Sequence, residues 1–150
     1  MKYLILSILL MACNSSDGLK RVEKFNGQRL SDLDLITIRK FPVGGQYWGA
    51  YMKDKKGEKR FLILAEQIRK SLLMKAVDSI EITVTDDDFT GYSPEMKCMT
   101  PEAEMAFGIA SKQKFSDKKA ADADRGYKFN LGKFKIEKVP GNLIHCEKID

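Results

Sequence analysis

Apolar and polar side chains alternate most cleanly over residues 79–85, "SIEITVT", where Ile80, Ile82 and Val84 share one face and Glu81, Thr83 and Thr85 the other. A period of two puts successive side chains on opposite faces of an extended chain, so this stretch predicts a half-buried strand. β-branched and aromatic residues also fill "LITIRKF", 35–41, and "QYWGAYM", 46–52, with Pro42 and Gly44-Gly45 as breakers between them. The polar stretch "KDKKGE", 53–58, separates the second of these from "KRFLIL", 59–64, and predicts a hairpin.

The period changes after residue 64. Ala65, Ile68, Leu72 and Ala76 recur at helical spacing while Glu66, Gln67, Arg69, Lys70 and Lys75 face away, which predicts a helix over 65–76. A second helix is expected from Thr100, a hydroxyl N-cap, with Pro101 in its first turn. Glu102 and Glu104 suit its positive end, Lys112 and Lys114 its negative end, and Ala103, Ala106, Phe107 and Ala110 its inner face. Residues 86–99 and 117–126 read as linkers, and 19–30 as a lead-in without clear period. Strands over 127–139 and 143–149 flank Pro140-Gly141-Asn142 and predict a closing hairpin, with Gly132 shifting the alternation as a bulge would. The order β-β-β-α-β-α-β-β implies an α+β domain, a mainly antiparallel sheet of about five or six strands with two helices packed on one face.

The first residues have a different logic. Lys2 precedes the apolar run "YLILSILLM", nine residues long and too short to span a bilayer, so 1–12 reads as a secretory leader. An ordinary cleavage after Ala12 would want a small residue where Leu10 stands. Leu10-Met11-Ala12-Cys13 instead resembles the lipobox of bacterial lipoproteins. That resemblance implies a diacylglycerol thioether on Cys13, cleavage just before it, and a further fatty-acyl chain such as palmitate on the new amino group. Two or three chains anchor durably where one binds only marginally. "NSSDG", 14–18, is small, polar and turn-prone, as a tether from a membrane surface needs to be. Enterobacterial lipoproteins keep an Asp after the cysteine for inner-membrane retention, so Asn14 implies the outer membrane. The expected organisation is a signal peptide over 1–12, a lipidated terminus and tether over 13–30, and one globular domain over 31–150. The expected place is the bacterial cell envelope.

Composition adds bounds. With 150 residues, 43% hydrophobic and 31% charged, the chain is neither fibrous nor of disordered type. Its formal charge is +5. Without Lys2 of the leader, 25 Lys and Arg face 21 Asp and Glu, leaving +4. That modest, scattered excess serves solubility, or contact with anionic lipid or polysaccharide. No cationic run interleaves with aromatics, so no nucleic-acid partner is expected. Lipidation of Cys13 leaves Cys98 and Cys146, an even pair that an oxidising envelope favours as one disulfide, with two buried thiols as the alternative.

Candidate chemistry is sparse. Asp86-Asp87-Asp88 with Gly91 matches the third and sixth positions of a calcium loop, but Lys97 stands where a bidentate Glu belongs and a strand precedes it. No metal site is expected. His145 and Cys146 are strand neighbours and point to opposite faces, which disfavours a nucleophile pair. There is no G-x-S-x-G, P-loop or G-x-G-x-x-G, and neither a catalytic residue nor a cofactor is expected. Alternation puts Tyr47 and Tyr51 on one face and Trp48 on the other. Trp48, with Asp86, Asp87 and Asp88, is therefore the candidate binding surface, against the plainer reading of the aromatics as core. The functional expectation is a non-catalytic binding, adaptor or assembly module, not an enzyme, held at a membrane by its lipid and facing an envelope protein or polysaccharide. The alternative is an inhibitor of an envelope-acting hydrolase, because small disulfide-bearing lipoproteins include lysozyme inhibitors. The basic charge opposes the lysozyme version, since lysozymes are usually basic themselves.

Overall fold

The computed structural model describes residues 18–91, 96–102, 104 and 106–150. Cys13, the lipobox and most of the tether lie outside the described residues. Among those described, twelve strands form three antiparallel sheets, and the helical elements are short 3-10 turns.

The first sheet holds β1 (Lys20–Arg21), β2 (Leu35–Gly44), β3 (Tyr47–Asp54), β4 (Arg60–Gln67) and β5 (Met74–Ile82). Its order is β1-β5-β4-β3-β2, a meander from β2 to β5 with β1 added at the far edge. The second comprises β6 (Asp88–Thr90), β8 (Phe107–Ser111), β10 (Arg125–Asn130) and β11 (Lys135–Pro140), in the order β11-β10-β8-β6. The third sets β12 (His145–Lys148) between β7 (Met96–Met99) and β9 (Ala120–Asp122).

These sheets stack in layers. Phe41, Tyr51, Leu62, Leu64 and Ile80 of the first sheet meet Phe107, Ile109, Tyr127 and Ile136 of the second in one core. The outer face of the first sheet carries Ala50, Met52, Phe61, Ile63 and Ala65, covered by Leu30 and Leu33 with Val22 and Phe25 beside them. The far face of the second sheet carries Ala110 and Val139, with Ala106 just ahead of β8, against Met96, Cys98, Ile144 and Cys146. Two glycines let layers and side chains close. A Cβ on Gly49 would stand 2.0 Å from the Phe41 ring, and one on Gly108 would stand 2.6 Å from the Cys98 sulfur.

The expected α+β fold with two helices is overturned. Ala65 and Ala76, read as two points on one helical face, are cross-strand partners of β4 and β5, with a turn between them. Both are buried because they oppose each other in a sheet, while Leu72 between them is 93% exposed. The second expected helix is replaced by β8, followed by a 3-10 turn over Lys112–Phe115. This segment is buried on both faces, Phe107 and Ile109 toward one core and Ala106 and Ala110 toward another, which imitates a helical spacing. In both places non-local pairing outweighs local propensity.

Among the smaller expectations the 53–58 hairpin is found and others shift. The 53–58 loop is a hairpin turn, with Lys53 opposite Arg60 and the Asp54 carboxylate accepting the Glu58 and Lys59 N–H groups at 2.8 and 3.1 Å. Pro42 does not end its strand. It pairs with Trp48 inside β2, an edge strand, where a missing N–H is tolerated. Gly132 lies in a turn, since Asn130 of β10 opposes Lys135 of β11. The closing hairpin is not one either. After Pro140 the chain leaves the second sheet, and β12 pairs with β7 and β9 instead of β11.

Candidate functional site

In the third sheet, register places Cys146 directly opposite Cys98. Their sulfurs stand at bonding distance, 2.05 Å, with Cα atoms 4.1 Å apart, the short spacing of a non-hydrogen-bonded antiparallel pair. Both cysteines are buried, and the bond lies between the second and third sheets, over Gly108. His145 points the other way, its side chain 58% exposed and 3.8 Å from both Asp122 and Glu147.

Trp48 lies on the outer face of the first sheet, half-buried, opposite Ala65 of β4. Its indole N–H donates to the Gln67 side-chain oxygen at 3.3 Å. Tyr47 and Tyr51 face inward, as alternation requires, and Tyr51 belongs to the central core. Three turns converge near Trp48. The β2–β3 turn at Gly44 and Gly45 has positive φ at both, the β4–β5 turn spans 68–73, and the β10–β11 turn carries Phe134, 47% exposed. The Phe134 ring stands 5.6 Å from that of Tyr47 and ties the third turn to the first. Beside them a groove of about 640 Å³ runs between Pro42 to Gly44 of β2 and Lys128 to Leu131, with Glu104 on its rim.

Asp86, Asp87 and Asp88 are elsewhere. They follow Ile82, which pairs with Arg60 at the other end of β4 from Ala65. Five residues of strand, about 17 Å, separate the two levels, so Trp48 and the aspartates do not share one surface. Asp88 is engaged locally: its carboxylate accepts the Thr85 N–H at 3.0 Å and hydroxyl at 3.3 Å, with Arg125 at 3.9 Å. Asp86 and Asp87 are exposed, and the Asp87 carbonyl accepts the Lys112 N–H at 2.8 Å. Among the described residues no three of His, Cys, Asp and Glu are grouped to hold a metal ion. The stretch 86–99, expected as a linker, instead holds β6 and β7, because Asp88–Thr90 pair with β8 and Met96–Met99 with β12, and residues 92–95 between them lie outside the described residues.

The aspartate end has its own groove, of about 480 Å³, lined by Lys20, Lys59, Arg125, Lys138, Glu81 and Tyr127 among others. Glu81 pairs with Lys20 and stands 3.9 Å from Lys59. Burial raises the Tyr127 phenol above its ordinary value, against the lowering effect of the Arg125 guanidinium. Burial likewise raises Tyr51, opposed by Arg60. Asp124, which burial alone would raise, is held below the ordinary carboxylate value by Lys114 and by the Ser111 N–H.

Sequence reasoning missed the convergence of turns around Trp48. The signal was present in "IRKSLLMK", an apolar doublet flanked by cations between two β-rich segments, but a helical spacing absorbed it. No family model matches the chain, and neither a curated protein nor a solved structure matches it.

Proposed function

We propose that the chain is a lipid-anchored protein of the bacterial cell envelope, whose β-sheet domain is a non-catalytic binding, adaptor or assembly module. The observation that carries this reading is Leu10-Met11-Ala12-Cys13 at the end of a short apolar leader. The Cys98–Cys146 pair supports it, since disulfides persist in oxidising compartments. The partner-facing surface in this reading is the Trp48 end. There the groove beside β2 and the exposed Phe134 ring against inward-facing Tyr47 offer a surface of the kind that protein or glycan partners use, with the half-buried indole on the outer face of the same strand end. Asp86 and Asp87 remain available to a second contact at the opposite end.

Cys13→Ala tests the anchor. The wild-type chain is expected in the membrane fraction with the added mass of its acyl chains, and the variant is expected to lose that mass and leave the fraction. A wild-type chain without acyl mass would end the reading.

A further inference from the structure

Between β4 and β5 the chain turns through residues 68–73 and leaves Leu72 93% and Leu73 39% exposed. This turn is internally bonded. The Ile68 N–H donates to the Leu73 carbonyl at 2.8 Å, and the Gln67 side-chain amide donates to the Ser71 carbonyl at 2.7 Å. The Ser71 N–H donates to the Ile68 carbonyl at 3.2 Å. Arg69 takes the left-handed conformation at the bend, with φ 55°. A bonded turn that presents two leucines to water forgoes their burial in the domain, which points to burial against something else.

The charges around the leucines indicate what that is. Arg69 and Lys70 precede them and Lys75 follows, all exposed and none in an ion pair among the described residues. Arg29, bridged to Lys75, adds a fourth cation. Two acids lie near them: Glu66, cross-strand from Lys75, which accepts a hydrogen bond from the Gln46 side chain, and exposed Asp32, whose N–H donates to the Arg29 carbonyl at 3.0 Å, so the cations stay in excess. Apolar side chains projecting from a ring of cations fit a deformable anionic bilayer: the leucines enter the headgroup boundary and the cations meet phosphate. We propose that the 68–73 turn docks on an anionic phospholipid surface.

Docking through this turn does not require a lipid on Cys13. Gly18 lies beside β1, opposite the Glu81 end of β5, whereas the turn leads into its Met74 end. Those ends are about 25 Å apart along the strand.

The single tryptophan of the chain makes a test direct. In the full-length chain, Trp48→Phe combined with Leu72→Trp moves the indole to the turn. Phosphatidylglycerol vesicles with brominated acyl chains are expected to quench it at least twofold more than brominated phosphatidylcholine vesicles. Adding Arg69→Glu, Lys70→Glu and Lys75→Glu is expected to remove the difference. Equal quenching by both lipids, quenching that survives charge reversal, or no quenching would each overturn the proposal. An indole already blue-shifted without vesicles, in a chain that sediments as a dimer, would put a second copy on the leucines and also overturn it. Amide exchange in the unsubstituted chain is an independent measurement of the same contact. Slower exchange at 68–73 with phosphatidylglycerol vesicles supports docking, and unchanged exchange refutes it.

Discussion

Arg21 and Asp78, 57 residues apart in sequence, form an ion pair across the β1–β5 edge that also fastens the second sheet. The same Asp78 carboxylate accepts the backbone N–H of Ile136 at 2.8 Å, and the Arg21 guanidinium donates to the Ile136 carbonyl at 3.0 Å. One carboxylate, its side chain 7% exposed, thus joins three strands from two layers. A buried pair contributes little relative to an apolar replacement, but removing one partner is costly because the other charge stays behind.

Asp78→Ala is therefore expected to destabilise the domain by about 3 kcal/mol, since it removes the carboxylate that faces the Arg21 charge and leaves the Ile136 N–H without its acceptor. Asp78→Asn, which keeps an acceptor, should cost less. Urea unfolding of the three proteins measures both. A loss below about 1 kcal/mol for the alanine variant would mean that the seam does not hold the sheets.

Reduction of Cys98–Cys146 is expected to lower stability by about 4 kcal/mol, the chain-entropy value for closing a 48-residue loop. Because both cysteines are buried, the native protein should react slowly with thiol reagents even in reductant. Melting curves with and without reductant test the first statement. Two thiols titrating in unreduced, denatured protein would refute the bond itself.

Alkaline titration should separate Tyr51 and Tyr127 from exposed phenols. Burial raises both above the ordinary 10.0, against lowering by Arg60 and Arg125 respectively. A raised native value means that the folded state holds the proton more tightly than the unfolded chain. Their contribution to stability is whole below pH 10.0 and is lost as pH climbs through the native values. Phenolate absorbance should rise late in the native protein and shift to ordinary values after denaturation. A single ordinary titration in both states would contradict the burial.

The strands over 35–41, 46–52, 59–64 and 79–82 were legible because each has one dominant period or a β-branched run bounded by turn residues. The two segments read as helices were not, for two physical reasons. Over 65–76 a hairpin turn brings the end of β4 opposite the start of β5, so Ala65 and Ala76 share a face by pairing and not by helical spacing. β8 is buried on both faces, so it lacks the alternation that marks a half-exposed strand. A small residue on one side and a large one on the other then mimics a helical stripe, as Ala106, Phe107 and Ala110 do. The Cys98–Cys146 pair was legible by counting. That Trp48 and Asp86 to Asp88 lie at different ends of a strand was not, because that depends on sheet register, which local pattern does not encode.

Any pull on the chain upstream of Gly18 enters the domain through β1. From Lys20 to Arg29 the backbone runs beside β5. It is held by the Val22 N–H to the Ser79 carbonyl at 2.9 Å, the Gly27 N–H to the Ala76 carbonyl at 2.8 Å, and the return bond from Ala76 to Gln28 at 2.8 Å. Tension along that axis would load these bonds in shear, all at once, with the Arg21 guanidinium gripping both sheets near the point of entry. Tension across it would peel them singly. The lead-in segment is thus a mechanical fastening, strong in one direction and weak in the other, so the angle at which the domain is held determines how much force it survives.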